Sequence, residues 1–427
     1  MTERLLQFIW QFQYFNRTQL TTAEGDELNI LRPGTSNVNQ GPDFLDARIK
    51  VNGTTWVGNI ELHIESSNWV DHNHSNDTNY NNIILHVVWV NDVVLNLPFP
   101  VLELSSKVSK ILLSKFDDLM NARRFIPCEN SIAQVDRLTW TGWKERLLVE
   151  RLQMKSAILF RFLEENNNHW EESFWWLLAR NFGVSVNTDA FEIIARSLPL
   201  QLLAKHKSQL HQAEALLFGQ AGLLNTDFTE AYPAMLKKEY AFYRNKYKLH
   251  PIQVPLHFLR MRPGNFPTVR LAQLAMLIHQ STHLLSVIRE TTTLQELRNL
   301  FDVTANDYWH YHYTFNERSE YREKKTGRQM IDTLIINAVL PILFAYGHYH
   351  KQQEYKDRVI RWFEELQPEV NKITTGFTAI SVENKTAFDS QALIQLKHAY
   401  CDEKRCLECS VGKRLLTAET DHARREM

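Results

Sequence analysis

The hydrophobic pattern changes character near residue 130. Before it, apolar positions come in short alternating runs among Asn, Val, Ile and Gly; from about 135 to 415, Leu, Ala, Glu, Lys, Gln and aromatic residues recur at helical spacing. An amphipathic helix is expected over 4–15, with Leu5, Ile9, Phe12 and Phe15 on one stripe. Short strands are expected over 29–32 and 47–51. Residues 56–65 (WVGNIELHIE) alternate strictly, with Ile60, Leu62 and Ile64 on one face and Asn59, Glu61, His63 and Glu65 on the other. Residues 83–90 (IILHVVWV) are almost wholly apolar, the pattern of a strand buried on both faces, and 100–104 adds another. The Ser/Asn-rich stretch 71–82 and the prolines at 98 and 100 mark loops.

Beyond residue 138 helices are expected over 141–164, 169–181, 188–196, 199–217, 228–247, 267–279, 294–301, 328–345, 350–365 and 389–400. No internal repeat and no low-complexity segment interrupts them. The expected architecture is α+β: a mixed α/β domain over 1–130, then a larger all-helical domain over 131–427 that carries a cysteine cluster near its end.

A length of 427 residues favours two or three domains. With 44% hydrophobic and 23% charged residues, the chain as a whole is not disordered. The net charge of −1 means that any nucleic-acid surface must be a local patch. The start, MTERLLQFIWQFQYF, has acidic and polar residues and no small-residue cleavage site, so it does not read as a signal peptide. Residues 333–347 are the most apolar run, yet contain Pro341 and Asn337 and read as a buried helix. The expectation is a soluble cytoplasmic protein with no membrane partner; the sequence leaves its oligomeric state open.

Residues 39–47 read NQGPDFLDA. The Gly41-Pro42 turn delivers Asp43 to the mouth of a strand, and Glu61-x-His63 follows on one face of the next. Two carboxylates on neighbouring strands suffice, with waters, for Mg²⁺ or Mn²⁺. Such an ion activates water and neutralises charge on a phosphodiester. Residues 5–105 resemble the PD-(D/E)xK nuclease core in element order as well as motif. The resemblance implies metal binding by Asp43 and Glu61. It expects lysine at the third position, where this chain has His63; histidine can hold a nucleophilic water, and its presence is equally compatible with a lost reaction. Lys50, on the preceding strand beside Arg48 and Asp46, is a candidate displaced lysine. The plainer alternative is a turn aspartate and two solvent-face residues.

His72 and His74 lie in a polar cluster with Ser66, Asn68, Trp69, Asp71, Asp77 and Tyr80. They are candidates for a transition-metal site with Asp71 and Asp77, for phosphate contacts, or for members of a solvated loop. His86, in the apolar strand, reads as a hydrogen-bonded core histidine. In RMRPGNFPTVRLAQ at 260–273, Arg260, Arg262 and Arg270 are candidate nucleic-acid contacts near a helix start, or arginines of a structured connection. The aromatic stretch 308–313 is a base-stacking platform if exposed and a packing cluster if buried.

The four cysteines are Cys128, Cys401, Cys406 and Cys409. The Cys-x4-Cys-x2-Cys spacing with one distant partner suits Zn²⁺ or an iron–sulfur cluster, and would staple the C-terminus to the first domain.

Taken together, the segments at 5–16, 58–69 (GNIELHIESSNW), 83–89, 262–275, 336–347 and 401–412 (CDEKRCLECSVG), with the GPDF stretch ending at Phe44, resemble the bacterial DUF2851 family, chiefly of Bacteroidetes type. That resemblance brings no activity with it. The residues themselves lead to three expectations. The first is a metal-dependent nuclease with Asp43, Glu61 and His63 at its centre; the second is an inactive nuclease fold that binds nucleic acid or acts as a scaffold; the third is a helical protein-interaction module.

Overall fold

The computed structural model describes residues 1–417 other than 38, 260 and 282. It is an α+β protein, 54% helix and 11% strand, with its main sheet in the N-terminal region. The chain forms two compact units. One comprises Met1–Trp143, Thr375–Val382 and Ile394–Met427; the other comprises Lys144–Thr374 and Glu383–Leu393. The cysteine-bearing C-terminal stretch therefore belongs to the first unit, not to the helical part where it was expected.

In the first unit, α1 (Glu3–Phe12) is capped by the Thr2 hydroxyl, which accepts from the Leu5 N–H. The helix stops where Gln13 turns left-handed, at φ 56°. Leu5, Leu6, Phe8, Ile9 and Trp10 are buried and α1 packs on β4. Phe12 is exposed, contrary to the stripe, and Phe15 instead stacks on Trp10 after the turn. The strands are β1 (Leu28–Arg32), β2 (Thr35–Ser36), β3 (Phe44–Val51), β4 (Thr54–Glu65), β5 (Ile83–Val90) and β6 (Val101–Glu103). Their order is β1-β3-β4-β5-β6, with β2 also on β3. β3 and β4 form an antiparallel hairpin around Asn52-Gly53, both at positive φ (46° and 87°), the turn whose twist suits a two-residue hairpin.

β4 and β5 are parallel, so the chain must cross back between them. The crossover holds α2 (Asn68–Asp71) and 3-10 turns at His74–Asn76 and Thr78–Tyr80, where an open loop was expected. α3 (Lys110–Asn121) was not expected, although Leu112, Phe116 and Leu119 recur at the spacing of one buried face.

Among the described residues the second unit is mainly helical, with a hairpin of His312–Thr314 and Glu317–Arg318 and an isolated bridge between Thr304 and Lys325. The expected helix over 199–217 is two, Leu200–His206 and Leu210–Gln220. Trp175, Phe182, Phe218, Phe301, Trp309 and Trp362 contribute to one aromatic-rich core. The apolar run at 333–347 lies in a helical stretch, Arg328–Tyr349, that is long and apolar enough to cross a membrane by length and composition; 78% of its most apolar window is buried inside the protein. Its middle turn, Ile335–Val339, is a π-helix just ahead of Pro341. Proline removes one helical N–H, and a wider turn relieves the clash with the preceding carbonyls. Lys155 Nζ donates to Asn337 Oδ1 (2.8 Å) and Gln391 Oε1 (2.8 Å) beside that turn.

Candidate metal centre

The β3–β4 register converts two separated motifs into one site. Phe44 pairs with Ile60, so Asp43 falls opposite Glu61. The Asp43 N–H donates to Glu61 Oε2 (3.0 Å) and the Leu62 N–H donates to Asp43 Oδ2 (3.0 Å). From α1, Gln7 Nε2 donates to Asp43 Oδ1 (2.7 Å). These bonds fix three of the four carboxylate oxygens and leave Glu61 Oε1 toward the histidines. It lies 3.6 Å from His63 Nε2 and 3.5 Å from His74 Nε2.

The polar face of β4 is not a solvent face. Glu61 is 5% exposed and His63 1%. The crossover covers them: His72 Nδ1 lies 3.1 Å from His63 Nε2, and the His63 and His74 rings stack at 5.2 Å. One nitrogen from each of His63, His72 and His74 lies within 4.8 Å of the others. Beneath them Trp69 packs edge-on to Phe99 and against His86, with its indole N–H donating to Ser75 Oγ (2.9 Å). Tyr80 lies over the His74 ring at 3.9 Å. His63 is buried, His74 half-buried and His72 exposed, so the cluster meets solvent at His72.

Burial raises the pKa of Asp43 and of Glu61, and the Asp43 charge raises Glu61 further. Burial pushes His63 down to about 3, helped by His86, His74 and His72, and His86 down to about 4. Without a cation, burial favours the neutral imidazoles of His63, His74 and His86 beside two acids that resist ionisation. A divalent ion keeps the imidazoles neutral and reverses only the acids' preference, because its ligands are neutral imidazoles and carboxylates. His63 Nδ1 contacts His86 Nε2 at 2.9 Å. With the proton on His63 Nδ1 and donated to His86, the Nε2 lone pair points into the cluster, the usual outer-shell arrangement for a ligating histidine. His74 Nε2 is buried without a hydrogen-bond partner. The imidazole nitrogens of His63, His72 and His74, with Glu61 Oε1 beside two of them, offer donors suited to a transition metal.

Other candidates fall elsewhere. Lys50 is exposed opposite Thr55, at the far end of β3 from Asp43, and Arg48 is opposite Val57. Asp71 is exposed, and Asp77 accepts from the Asn79 N–H (2.9 Å) instead of joining the histidines. His86 is the hydrogen-bonded core histidine expected of it. In the second unit Arg270 is buried, with its guanidinium bonded to Gln273 Oε1 (2.8 Å) and Asn265 Oδ1 (2.5 Å). The arginine braces the start of its own helix. Arg262 is exposed and caps a 3-10 turn, and Arg260 lies outside the described residues. Trp309, His310 and His312 are buried, so the 308–313 stretch is a packing cluster. Sequence reasoning gave no role to Gln7 and Tyr80; Gln7 sits one helical turn after Glu3, whose charge also raises Asp43.

A family model described as "Protein of unknown function (DUF2851)" matches residues 3–372, and the chain belongs to that family. No curated protein and no solved structure matches the chain.

Proposed function

We propose that the first unit is a metal-dependent phosphodiesterase acting on nucleic acid, with Glu61, His63, His72 and His74 holding a divalent transition metal and Asp43 beside it. The observation that carries this reading is the approach of Glu61 Oε1 to His63 and His74, themselves grouped with His72, at the position where a PD-(D/E)xK core has its acids. The sheet supports the resemblance: a helix, antiparallel strands carrying Asp43 and Glu61, a crossover, and a parallel strand. Of the two ions expected at Asp43 and Glu61, Mn²⁺ fits better than Mg²⁺. Mg²⁺ keeps to oxygen ligands and waters, whereas three of these donors are nitrogen.

Such an ion would supply an activated water and charge neutralisation at the phosphoryl group. The chain's own contribution is orientation. Main-chain N–H groups and Gln7 hold the two carboxylates in place, and His86 fixes the His63 ring. The exposed edge at His72 gives a phosphate group access. Labelled DNA and RNA incubated with the full chain and Mn²⁺ test the reading. Cleavage that disappears in Asp43→Ala and Glu61→Ala supports it; cleavage unchanged in both variants, or none by the wild type, removes it.

One observation favours a second reading. Burial holds His63 well below the pH at which it would carry the charge of the lysine it replaces. An inactive nuclease fold that binds nucleic acid would show binding that weakens steeply with salt, and no metal-dependent cleavage.

A further inference from the structure

The four cysteines all belong to the first unit, and none forms a disulfide. Cys128 immediately precedes the 3-10 helix Glu129–Gln134. Cys401 closes a π-helical turn, Lys397–Cys401. Cys406 and Cys409 lie in the loop that leads into the C-terminal helix Ser410–Thr417, and that helix packs on the 3-10 helix and on α3. Two segments far apart in sequence thus meet at their cysteines. Cys128, Cys406 and Cys409 are buried and Cys401 is half-buried.

The loop is built closely around the sulfurs. A Cβ on Gly412 would lie 2.3 Å from the Cys406 carbonyl oxygen, so glycine is required for this approach. The backbone N–H groups of Gly412 and Val411 hydrogen-bond Cys409. Burial raises the Cys128 thiol to about 12, with Cys409 and Cys406 adding to the rise, and the same neighbours act on Cys401. Lys397, Lys404 and Lys413 each favour the thiolate of one nearby cysteine. Four cysteines brought together from two segments, three of them buried and one held by main-chain N–H groups, suit a centre built from thiolates and iron.

Spacing favours a cluster over a single ion. Cys-x4-Cys-x2-Cys with a distant fourth cysteine is an iron–sulfur spacing.

We infer that Cys128, Cys401, Cys406 and Cys409 ligate an iron–sulfur cluster that ties the C-terminal segment to the 3-10 helix following α3. This site stands independently of the proposed phosphodiesterase centre. The test is iron, zinc and acid-labile sulfide analysis of the full chain purified without oxygen, repeated after reconstitution with ferrous iron and sulfide. The expected result is about two or about four irons per chain with matching sulfide and a visible thiolate–iron absorption. Cys128→Ser should lose most of that iron and Ser131→Ala should keep it. Slower hydrogen exchange over 410–417 in the iron-loaded chain would support the tie. One zinc with no sulfide, neither metal after reconstitution, or full iron in Cys128→Ser would each overturn the inference.

Discussion

The main-chain N–H of Asp43 donates to Glu61 Oε2 at 3.0 Å, so the first acid of the site orients the second. The bond exists because the β3–β4 register sets these residues opposite each other. It turns the remaining Glu61 oxygen toward His63 and His74. Two buried acids side by side are a cost to the metal-free fold, and a cation is what relieves it.

That cost predicts opposite effects of one substitution. Glu61→Gln should raise the melting temperature of the metal-free chain and abolish the rise that Mn²⁺ gives the wild type. A ligand at about a hundredfold its Kd contributes about 2.7 kcal/mol. Thermal melts with and without Mn²⁺ check both halves; a Glu61→Gln chain still stabilised by Mn²⁺ would place the ion elsewhere.

A pH effect is expected from Glu214 in the second unit. Burial raises it to about 7 from an ordinary 4.5, although Tyr232 and Trp309 donate to it. An acid with a raised folded pKa keeps its proton while the unfolded chain loses one, so stability falls as pH rises from about 4.5 to about 7. Above that window the full penalty remains, on the order of 3 kcal/mol. Urea midpoints at pH 5 and pH 8 should differ less in Glu214→Gln than in the wild type. Equal differences would show that Glu214 ionises freely.

Arg270→Ala should cost about 2–3 kcal/mol, the price of unmaking buried hydrogen bonds to a charged group. Burial already holds this arginine down at about 10. Nucleic-acid binding, measured by its salt dependence, should keep the same slope. A reduced slope would return Arg270 to the role of phosphate contact.

Gly219→Ala tests close packing. A Cβ there would lie 2.1 Å from the Tyr240 ring. Overpacking of this kind costs about 1–3 kcal/mol, against about 1 kcal/mol gained in helix propensity. Denaturant titration should show net destabilisation; a more stable variant would mean that Tyr240 moves aside freely.

The sheet was largely legible because its signals are local. Strict alternation marked β4 and the apolar run gave β5 over residues 83–90. Asp43 and Glu61 were legible as a pair because one hairpin joins them. His72 and His74 were legible as metal candidates, but their approach to His63 rather than to Asp71 and Asp77 was not, since it depends on the path of a crossover whose Ser/Asn-rich composition reads as a loop. Nor was the burial of the polar β4 face, because alternation alone assigns that face to water. The burial of Arg270 was not legible because charge suggests a surface, whereas Asn265 and Gln273 near its own helix start accept from its guanidinium. The C-terminal cysteines sit hundreds of positions from Cys128, and spacing alone left their union with the first unit as an expectation.

The most direct test of the proposed centre is a crystal of the full chain soaked in Mn²⁺ and measured at the manganese absorption edge. The account expects an anomalous peak between Glu61 Oε1, His63 Nε2 and His74 Nε2, at about 2.0–2.3 Å from each, lost in a Glu61→Gln crystal. A peak away from these atoms, or none in the wild type, would contradict it.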